Sequence, residues 1–315
     1  VSAYFLTDFS SNNPLLEAWV SYKPLDRLSF TFGQFRSIAN NREMLIFENS
    51  LSNFSRSLLS QTFNATGREF GLKFSYMIGH SDFSLIPMIQ ITSGDGLNSF
   101  GVDSRDVDLG GLKYSSRIDF YPLGLFSEGQ VQSVNDYAHQ ESLKLVIGAA
   151  ASYNDGASNS VGEGHGDFYL FNNLNQVMLP DYRELNFDFL SKFKGFSFIG
   201  EYSISTATGL EGLVTESLIQ ELQPTEISTY LALGTGLTMQ VFYTSKKGYS
   251  IGFINSSITS EFENENSIVK DSNLKSLVLS KRIKDSAVVI QNSFDVIKIS
   301  DDNSFTYQFL VQLEF

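Results

Sequence analysis

Apolar and polar residues alternate strictly near the carboxyl end of the chain. Within 305–315 the odd-numbered residues are large and apolar, and the even-numbered ones are polar apart from Leu310. Because successive side chains of a strand point to opposite faces, this pattern predicts a strand with one apolar and one polar face. Such a strand is typical of a sheet that meets lipid on one side and a polar interior on the other.

The same alternation recurs along the whole chain. It is clearest in 27–33, 67–78, 112–120, 184–193 and 196–204. Weaker examples are 2–9, 15–23, 82–92, 140–153, 236–244, 248–259, 273–283 and 285–298. Together these give about fourteen strands of roughly ten residues, the length that a tilted strand needs to cross a bilayer. The pattern predicts an all-β, transmembrane, antiparallel up-and-down β-barrel, with one or two turns of helix expected only within 44–59.

The connections between the predicted strands differ in length. Short polar turns are predicted at 23–26, 79–81, 245–248 and 283–285, and longer polar segments at 37–66, 93–110, 154–182, 205–234, 260–272 and 299–304. Short turns at one end and long loops at the other are expected of an outer-membrane barrel. We interpret residues 1–315 as one barrel domain in which 93–110, 154–182, 205–234 and 260–272 are external loops.

The longest connection in the first half, 37–66, has a different composition. It carries the apolar run Met44-Leu45-Ile46-Phe47. Because an apolar cluster of this size is unstable when left in water, we expect the segment to fold into the barrel and narrow it.

Composition excludes several other classes of protein. No run reaches the 18 apolar residues that a membrane-spanning helix requires, and 14% of residues are aromatic, which suits strands and interfacial girdles. The chain has no cysteine, so it has neither disulfides nor thiolate metal sites. A net charge of −13 argues against nucleic-acid binding.

Residue 1 is Val, and no charged segment followed by an apolar one comes after it. We interpret the chain as exported to the bacterial outer membrane by a signal peptide that is absent from this sequence. A barrel must also close, because an open edge in lipid leaves backbone groups unpaired. We therefore expect residues upstream of Val1 to supply the partner of 305–315.

The first half of the chain also resembles the phosphate-selective porin O/P family. The matching motifs are Phe32-Gly33-Gln34-Phe35-Arg36, Arg42-Glu43, Arg56-Ser57, Gly67-Arg68-Glu69-Phe70-Gly71, and Asn98, Gly101, Arg117 and Tyr121-Pro122-Leu123-Gly124. Arg36 stands where the family has Lys, and Glu69 where it has Asp. The second half matches mainly in its alternation. The resemblance implies a sixteen-stranded barrel, usually trimeric, with loops folded inward. Because this sequence supplies about fourteen strands, we expect a further hairpin on the amino-terminal side.

A selective pore needs charged side chains that face a narrow interior. The candidate pore and constriction residues are Arg36, Arg42, Arg56, Arg68, Lys73 and Arg117. Arginine suits oxyanions because its planar guanidinium donates two parallel hydrogen bonds. The alternative is structural: the arginines pair with interior carboxylates and hold 37–66 in place. Predicted interior cations and anions are nearly balanced, so the charges alone do not establish an anion channel.

The remaining motifs of the sequence do not define a metal site, a phosphate-binding loop or a catalytic site. Asp103, Asp106 and Asp108 are candidate calcium ligands, but their spacing lacks the glycine and closing glutamate of a known calcium loop. The Gly162-Glu163-Gly164-His165-Gly166 stretch has neither the preceding strand nor the following helix of a phosphate-binding loop. No nucleophile elbow with a partner histidine occurs, so we predict neither an enzyme nor a cofactor.

Two functional hypotheses follow. The first is an outer-membrane porin for passive diffusion of small hydrophilic solutes or ions, with a preference for anions or phosphate. The second is a barrel that does not transport but anchors a larger outer-membrane complex through its loops. Expected partners are membrane lipid, lipopolysaccharide, small hydrophilic or anionic solutes, and either two further copies of the chain or other subunits of a complex.

Overall fold

The computed structural model describes residues 1–9, 14–65, 67–97, 110–164, 166–215, 221–283, 288–300 and 302–313. Within this part of the chain fifteen strands form one antiparallel sheet, in which neighbouring strands follow one another along the chain. The strands are β1 Ser2–Thr7, β2 Leu15–Leu25, β3 Leu28–Arg36, β4 Arg68–Tyr76, β5 Ile78–His80, β6 Phe83–Thr92, β7 Lys113–Tyr121, β8 Lys144–Asn154, β9 Asp181–Phe193, β10 Phe196–Thr208, β11 Gly234–Thr244, β12 Tyr249–Ser260, β13 Ser272–Arg282, β14 Val288–Ile299 and β15 Asp302–Leu313.

Each predicted strand corresponds to an observed one, and the all-β antiparallel fold is confirmed. The predicted strand 67–78 is divided into β4 and β5 at Met77, and β5 pairs with β6 alone. The predicted alternation of faces is also confirmed: Arg117 is buried, whereas the adjacent Ile118 is 48% exposed. A shift of one residue would reverse these faces, so the apolar pattern sets the register.

The two edges of the sheet are β1 and β15. In the described residues β1 pairs with β2 and β15 with β14, and no backbone pairing joins β1 to β15. The expectation of a further hairpin between them stays a prediction. Glu314 and Phe315, at the end of the predicted closing strand, lie outside the described residues.

The outer face of the sheet is a broad apolar surface. Phe30, Phe187 and Phe309 are 43%, 49% and 60% exposed. Aromatic rings pack edge to face across neighbouring strands, as in the pair Phe30 and Phe74, whose centroids are 5.3 Å apart. In the described part of the chain, every helix is too short and too polar to span a membrane.

Residues 37–65, which we call the inner segment, lie in the concavity of the sheet. The segment contains the short helices α1 Arg42–Leu45 and α2 Leu58–Phe63, and the Ser57 side chain caps α2 by accepting from the Ser60 backbone N–H. The sheet therefore curves around the segment, which exchanges hydrogen bonds with ten strands. The wall residues in these bonds are Arg36, Arg68, Gln90, Asp119, Asp188, Glu201, Gln240, Ser256, Gln291 and Gln312.

A second segment enters the sheet from the end that carries the short turns. The sequence analysis placed only short connections at this end, but 122–143, between β7 and β8, is long. Its Val134 is 1% exposed and packs with Ile46 of the inner segment. The Lys192 ammonium donates to the carbonyls of Gln130 and Asn135 at 2.7 and 2.9 Å. The prediction of short turns alone was wrong because these buried contacts are non-local.

The prediction of a long polar connection at 299–304 was also wrong. β14 ends at Ile299 and β15 begins at Asp302, where Asp302, Asn303 and Ser304 pair with residues of β14. These polar residues have a loop-like composition, but the ladder of backbone hydrogen bonds extends to them.

At the opposite end, the long connections share an apolar core. Leu170, Leu213, Ile227 and Leu231 are fully buried in it. The Tyr182 hydroxyl donates to the Ala232 carbonyl at 2.8 Å and links the core to β9. Most of 93–110 lies outside the described residues.

Candidate functional site

The first group of charges forms where β3 and β4 meet the inner segment. Arg36 and Arg68 are register partners, and the Glu48 carboxylate lies between them. Glu48 Oε2 is 2.6 Å from Arg36 Nη2, and Glu48 Oε1 is 2.7 Å from Arg68 Nη2 and 3.3 Å from Arg56 Nη2. One carboxylate therefore joins three arginines.

Glu17 of β2 is the second carboxylate of this group. Its Oε1 accepts from Arg36 Nε at 2.9 Å and from Arg68 Nε at 3.2 Å. The group thus has three positive and two negative side chains. Arg36 also donates to the carbonyl oxygens of Met44 and Ile46, which fixes the inner segment to the wall.

The arginines alter the ionisation of Glu48. Burial works against its charged form, but Arg36 and Arg68 outweigh burial and lower the pKa of Glu48 to about 2. The carboxylate is therefore ionised at neutral pH and in mild acid.

The second group lies across the interior and is closed to solvent. Arg42 donates to Asp188 Oδ1 through Nε at 2.9 Å and to Asp119 Oδ1 through Nη2 at 2.7 Å. Arg117 donates to Asp119 Oδ1 through Nε at 2.8 Å and to Asp188 Oδ2 through Nη2 at 2.7 Å. Two arginines and two aspartates share all four pairings, so the group is neutral.

Burial opposes the charge on Arg42, but the pKa of its guanidinium is raised because Asp119 and Asp188 outweigh the burial. Gly148 of β8 makes room for the group. A Cβ at this position would lie 2.3 Å from both Arg117 Nη2 and Asp188 Oδ1.

A cavity of about 500 Å³ remains beside the two groups. Glu17, Arg36, Arg42, Arg117 and Asp119 line it, together with Trp19, Lys73 and Tyr121. Trp19 faces the interior and stacks on Tyr4 with their ring centroids 5.4 Å apart. The cavity is polar on one side and aromatic on the other.

Lys73 differs from the other cations of the cavity. Its ammonium lies 4.7 Å from the centroid of the Phe35 ring. In the described part of the chain, no carboxylate lies within 4.0 Å of this ammonium. Lys73 therefore contributes positive charge to the cavity without a neutralising contact.

The other side of the inner segment is held by uncharged and acidic groups. Glu43 accepts from Gln240 Nε2 at 2.6 Å and from Ser57 Oγ at 2.8 Å. Glu201 Oε1 accepts from Asn41 Nδ2 at 2.9 Å. Helix α2 thus lies against β10, β11 and β12, and the cavity is left near β2, β3, β4, β6 and β7.

The structure gathers the six candidate residues into one interior region. Arg36, Arg56 and Arg68 share Glu48, Arg42 and Arg117 share the two aspartates, and Lys73 faces the cavity. The sequence analysis did not identify Glu48, because it lies in a long connection where apolar and polar residues do not alternate. The candidate calcium ligands Asp103, Asp106 and Asp108, and Asn98, Gly101 and His165, lie outside the described residues.

Comparison with solved structures identifies the fold. Pseudomonas putida OprB superimposes with a TM-score of 0.56 at 12% identity, over 96% of this chain and 73% of that one. A loop-deletion mutant of OmpT, an outer membrane protein of Vibrio cholerae, gives 0.48 at 10% identity, over 95% and 79%. A BenF-like porin from Pseudomonas fluorescens Pf-5 gives 0.44 at 10% identity, over 97% and 69%.

Only the first of these TM-scores exceeds 0.5, so the assignment of the fold rests on OprB. The chain has the fold of an outer-membrane β-barrel. No protein-family model matches the sequence, and no curated protein shows significant similarity to it. The resemblance to the phosphate-selective porin O/P family therefore stays a prediction.

Proposed function

We propose that this protein is a porin of the bacterial outer membrane through which small hydrophilic solutes diffuse passively. The observation that carries the proposal is the cavity of about 500 Å³ lined by charged side chains, inside a sheet whose outer face is apolar. A lipid-facing exterior and a charged interior are the two requirements of such a channel. The inner segment and 122–143 narrow the path, so large solutes are excluded.

The charges of the interior support a mild preference for anions. Among the charged residues that line the cavity, four cations stand against two carboxylates: Arg36, Arg42, Lys73 and Arg117 against Glu17 and Asp119. A local excess of positive charge in a low-dielectric site outweighs distant surface charges, which salt screens beyond about 8–10 Å.

Selectivity for phosphate is a stronger claim and has less support. Recognition of phosphate requires arginine donors that are free to form bidentate hydrogen bonds. Arg42 and Arg117 donate their hydrogen bonds to the carboxylates of Asp119 and Asp188 instead. We therefore propose a general preference for anions, in which the arginines mainly position the inner segment.

Assembly and surroundings are part of the same proposal. The apolar outer face suits lipid and, over part of its area, two further copies of the chain in a homotrimer. The long connections at the loop end suit contact with lipopolysaccharide.

A non-transporting barrel is the second candidate, and one observation favours it. The inner segment and 122–143 enter from opposite ends and meet: Phe47 N–H donates to the Gln132 carbonyl at 3.3 Å, and Val134 N–H to the Ser50 carbonyl at 3.2 Å. These contacts would suit a sealed barrel that anchors other proteins.

Swelling of liposomes that contain the protein tests the proposal. We expect swelling in solutions of small sugars and amino acids, with rates that fall steeply as solute size increases. An equal amount of folded, inserted protein that gave no swelling with any solute would contradict the porin and support the anchor.

A further inference from the structure

Two turns and the end of a strand lie side by side at the end of the sheet where 122–143 enters. Lys194-Gly195 joins β9 to β10, 245–248 joins β11 to β12, and β13 ends at Arg282. Thr244 N–H donates to the Gly195 carbonyl at 2.8 Å, and Arg282 N–H to the Gly248 carbonyl at 2.9 Å. These bonds hold the turns in one continuous row.

The row concentrates positive charge in an acidic chain. It carries Lys194, Lys246 and Lys247, all exposed, and Lys281 beside them. In the described residues, none of these four ammonium groups has a carboxylate within the 4.0 Å limit of an ion pair. The interior arginines, by contrast, are neutralised by carboxylates. The turn lysines are therefore available to an external anion.

A groove of about 1120 Å³ separates the row from 122–143. Lys194, Lys246 and Lys247 line it together with Tyr137, His139 and Tyr243. Among the described residues that line the groove, Glu141 alone is acidic and three are lysines, so this lining is cationic. We call it the turn groove.

Aromatic rings of the outer face place the turn groove at a definite level of the sheet. The Lys281 ammonium lies 3.7 Å from the centroid of Tyr249, and that of Lys194 lies 5.0 Å from the centroid of Phe193. Tyr243 and Phe196 pack with centroids 4.7 Å apart, and all four rings are exposed on the outer face. Exposed aromatic rings at the end of an apolar face mark the boundary between hydrocarbon and lipid headgroups.

In the turn between β9 and β10, Lys194 occupies a position that disfavours its residue type. Lys194 has a φ of 47° at the first position of a two-residue hairpin, where Asn, Asp or Gly is usual. A lysine gains nothing from this backbone conformation. Its ammonium, however, projects to the rim of the turn groove.

We propose that the turn groove binds the phosphate-bearing headgroup of an anionic phospholipid. Phosphate oxygens accept from the ammonium groups of Lys194, Lys246 and Lys247, while the acyl chains lie along the outer face below Tyr243. Clusters of lysine at a membrane surface attract anionic lipid in this way. The proposal rests on the membrane location of the sheet and not on conduction through it.

Native mass spectrometry of the full-length chain in detergent micelles tests the site. We expect phosphatidylglycerol to be retained in preference to phosphatidylcholine. The triple variant Lys194→Gln, Lys246→Gln, Lys247→Gln should lose that preference, with binding about fivefold weaker for each lysine removed. The matched control Lys23→Gln, Lys275→Gln, Lys298→Gln removes three exposed lysines outside the groove and should keep the preference for phosphatidylglycerol.

Three results would overturn the proposal. The first is equal retention of the two lipids by the unaltered protein, and the second is an unchanged lipid preference in the triple variant. The third is displacement of the lipid by inorganic phosphate or poly-L-glutamate at a concentration similar to that of the lipid. The last result would assign the groove to a soluble anion or an acidic protein. Because the readout is lipid mass, a protein that fails to conduct would still give a clear answer here.

Discussion

Lys73 is the interior cation whose charge is least compensated. Its ammonium rests on the Phe35 ring, while the neighbouring arginines are bound to carboxylates. Sequence alternation correctly placed Lys73 inside the barrel, but the pairing of its neighbours depends on Glu48 and on strands far apart in the chain. Local sequence thus determines whether a side chain points inward. Its net electrostatic effect depends on contacts with residues that are distant in the chain.

We expect Lys73→Gln to weaken the preference for anions. One charge at about 7 Å in water changes the energy of a permeating anion and of a permeating cation by about 0.6 kcal/mol each, in opposite directions, so the ratio of anion to cation permeability should fall roughly sevenfold. The reversal potential in a salt gradient measures this ratio. Lys23→Gln, which removes an exposed lysine at the turn between β2 and β3, should leave it unchanged, and equal effects of the two variants would assign selectivity to overall charge.

Arg42 has a structural role that its charge alone does not reveal. Arg42→Met would leave Asp119 and Asp188 buried with Arg117 alone, and we expect it to lower the free energy of unfolding by about 3–5 kcal/mol. Adding Asp119→Asn should restore part of the lost free energy of unfolding, because it removes the buried negative charge that Arg42 no longer compensates. Urea unfolding in lipid vesicles measures both variants. If Arg42→Met proved as stable as the unaltered protein, the four-residue group would not hold the inner segment.

Among the elements, the inner segment shows how far the sequence could predict the interior. Its apolar run from Met44 to Phe47 predicted a buried position, and Ile46 is fully buried. The entry of 122–143 from the other end could not be predicted, because its anchors lie on β9 and β11 and leave no periodic signal. Strands are set by local alternation, whereas interior segments are set by contacts between distant residues.

The carboxylate of Glu48 should make the docking of the inner segment depend on pH. Its folded-state pKa is lowered to about 2, so the stabilisation is complete above its ordinary value of 4.5 and is lost as the pH falls towards 2. The protection factors of the amides in 43–57, which are exchange rates corrected for the intrinsic pH dependence of amide exchange, should accordingly stay high at pH 5 and fall below about pH 4.

Glu48→Gln should exchange quickly at pH 5 as well, since the amide cannot neutralise three arginines. Glu128→Gln, at an exposed carboxylate of 122–143, is the control and should behave as the unaltered protein does. Slow exchange in Glu48→Gln would show that the apolar contacts alone hold the inner segment.

Strand β15 offers a direct test of which face meets lipid. Phe309 lies on the outer face and Gln308 on the inner one. Phe309→Arg should lower the free energy of unfolding in lipid by about 2–4 kcal/mol, because it places a charge near the middle of the hydrocarbon. Gln308→Arg on the same strand should cost much less, and the reverse order would mean that the faces are exchanged.

On the scale of the whole molecule, the balance of charge differs from place to place. The chain carries a net charge of −13, yet cations outnumber carboxylates in the linings of the cavity and of the turn groove. Salt screens the effect of more distant carboxylates beyond about 8–10 Å. Composition alone would suggest a preference for cations, whereas the arrangement of charges supports the opposite.

Single-channel recording in a planar bilayer tests the central proposal most directly. The proposed channel predicts that the full-length chain gives steady, ohmic current steps of small, uniform size. Insertion is verified independently by the amount of folded protein in the membrane. Folded, inserted protein that produced no current at any voltage or salt concentration would contradict the channel and leave the sealed, anchoring barrel.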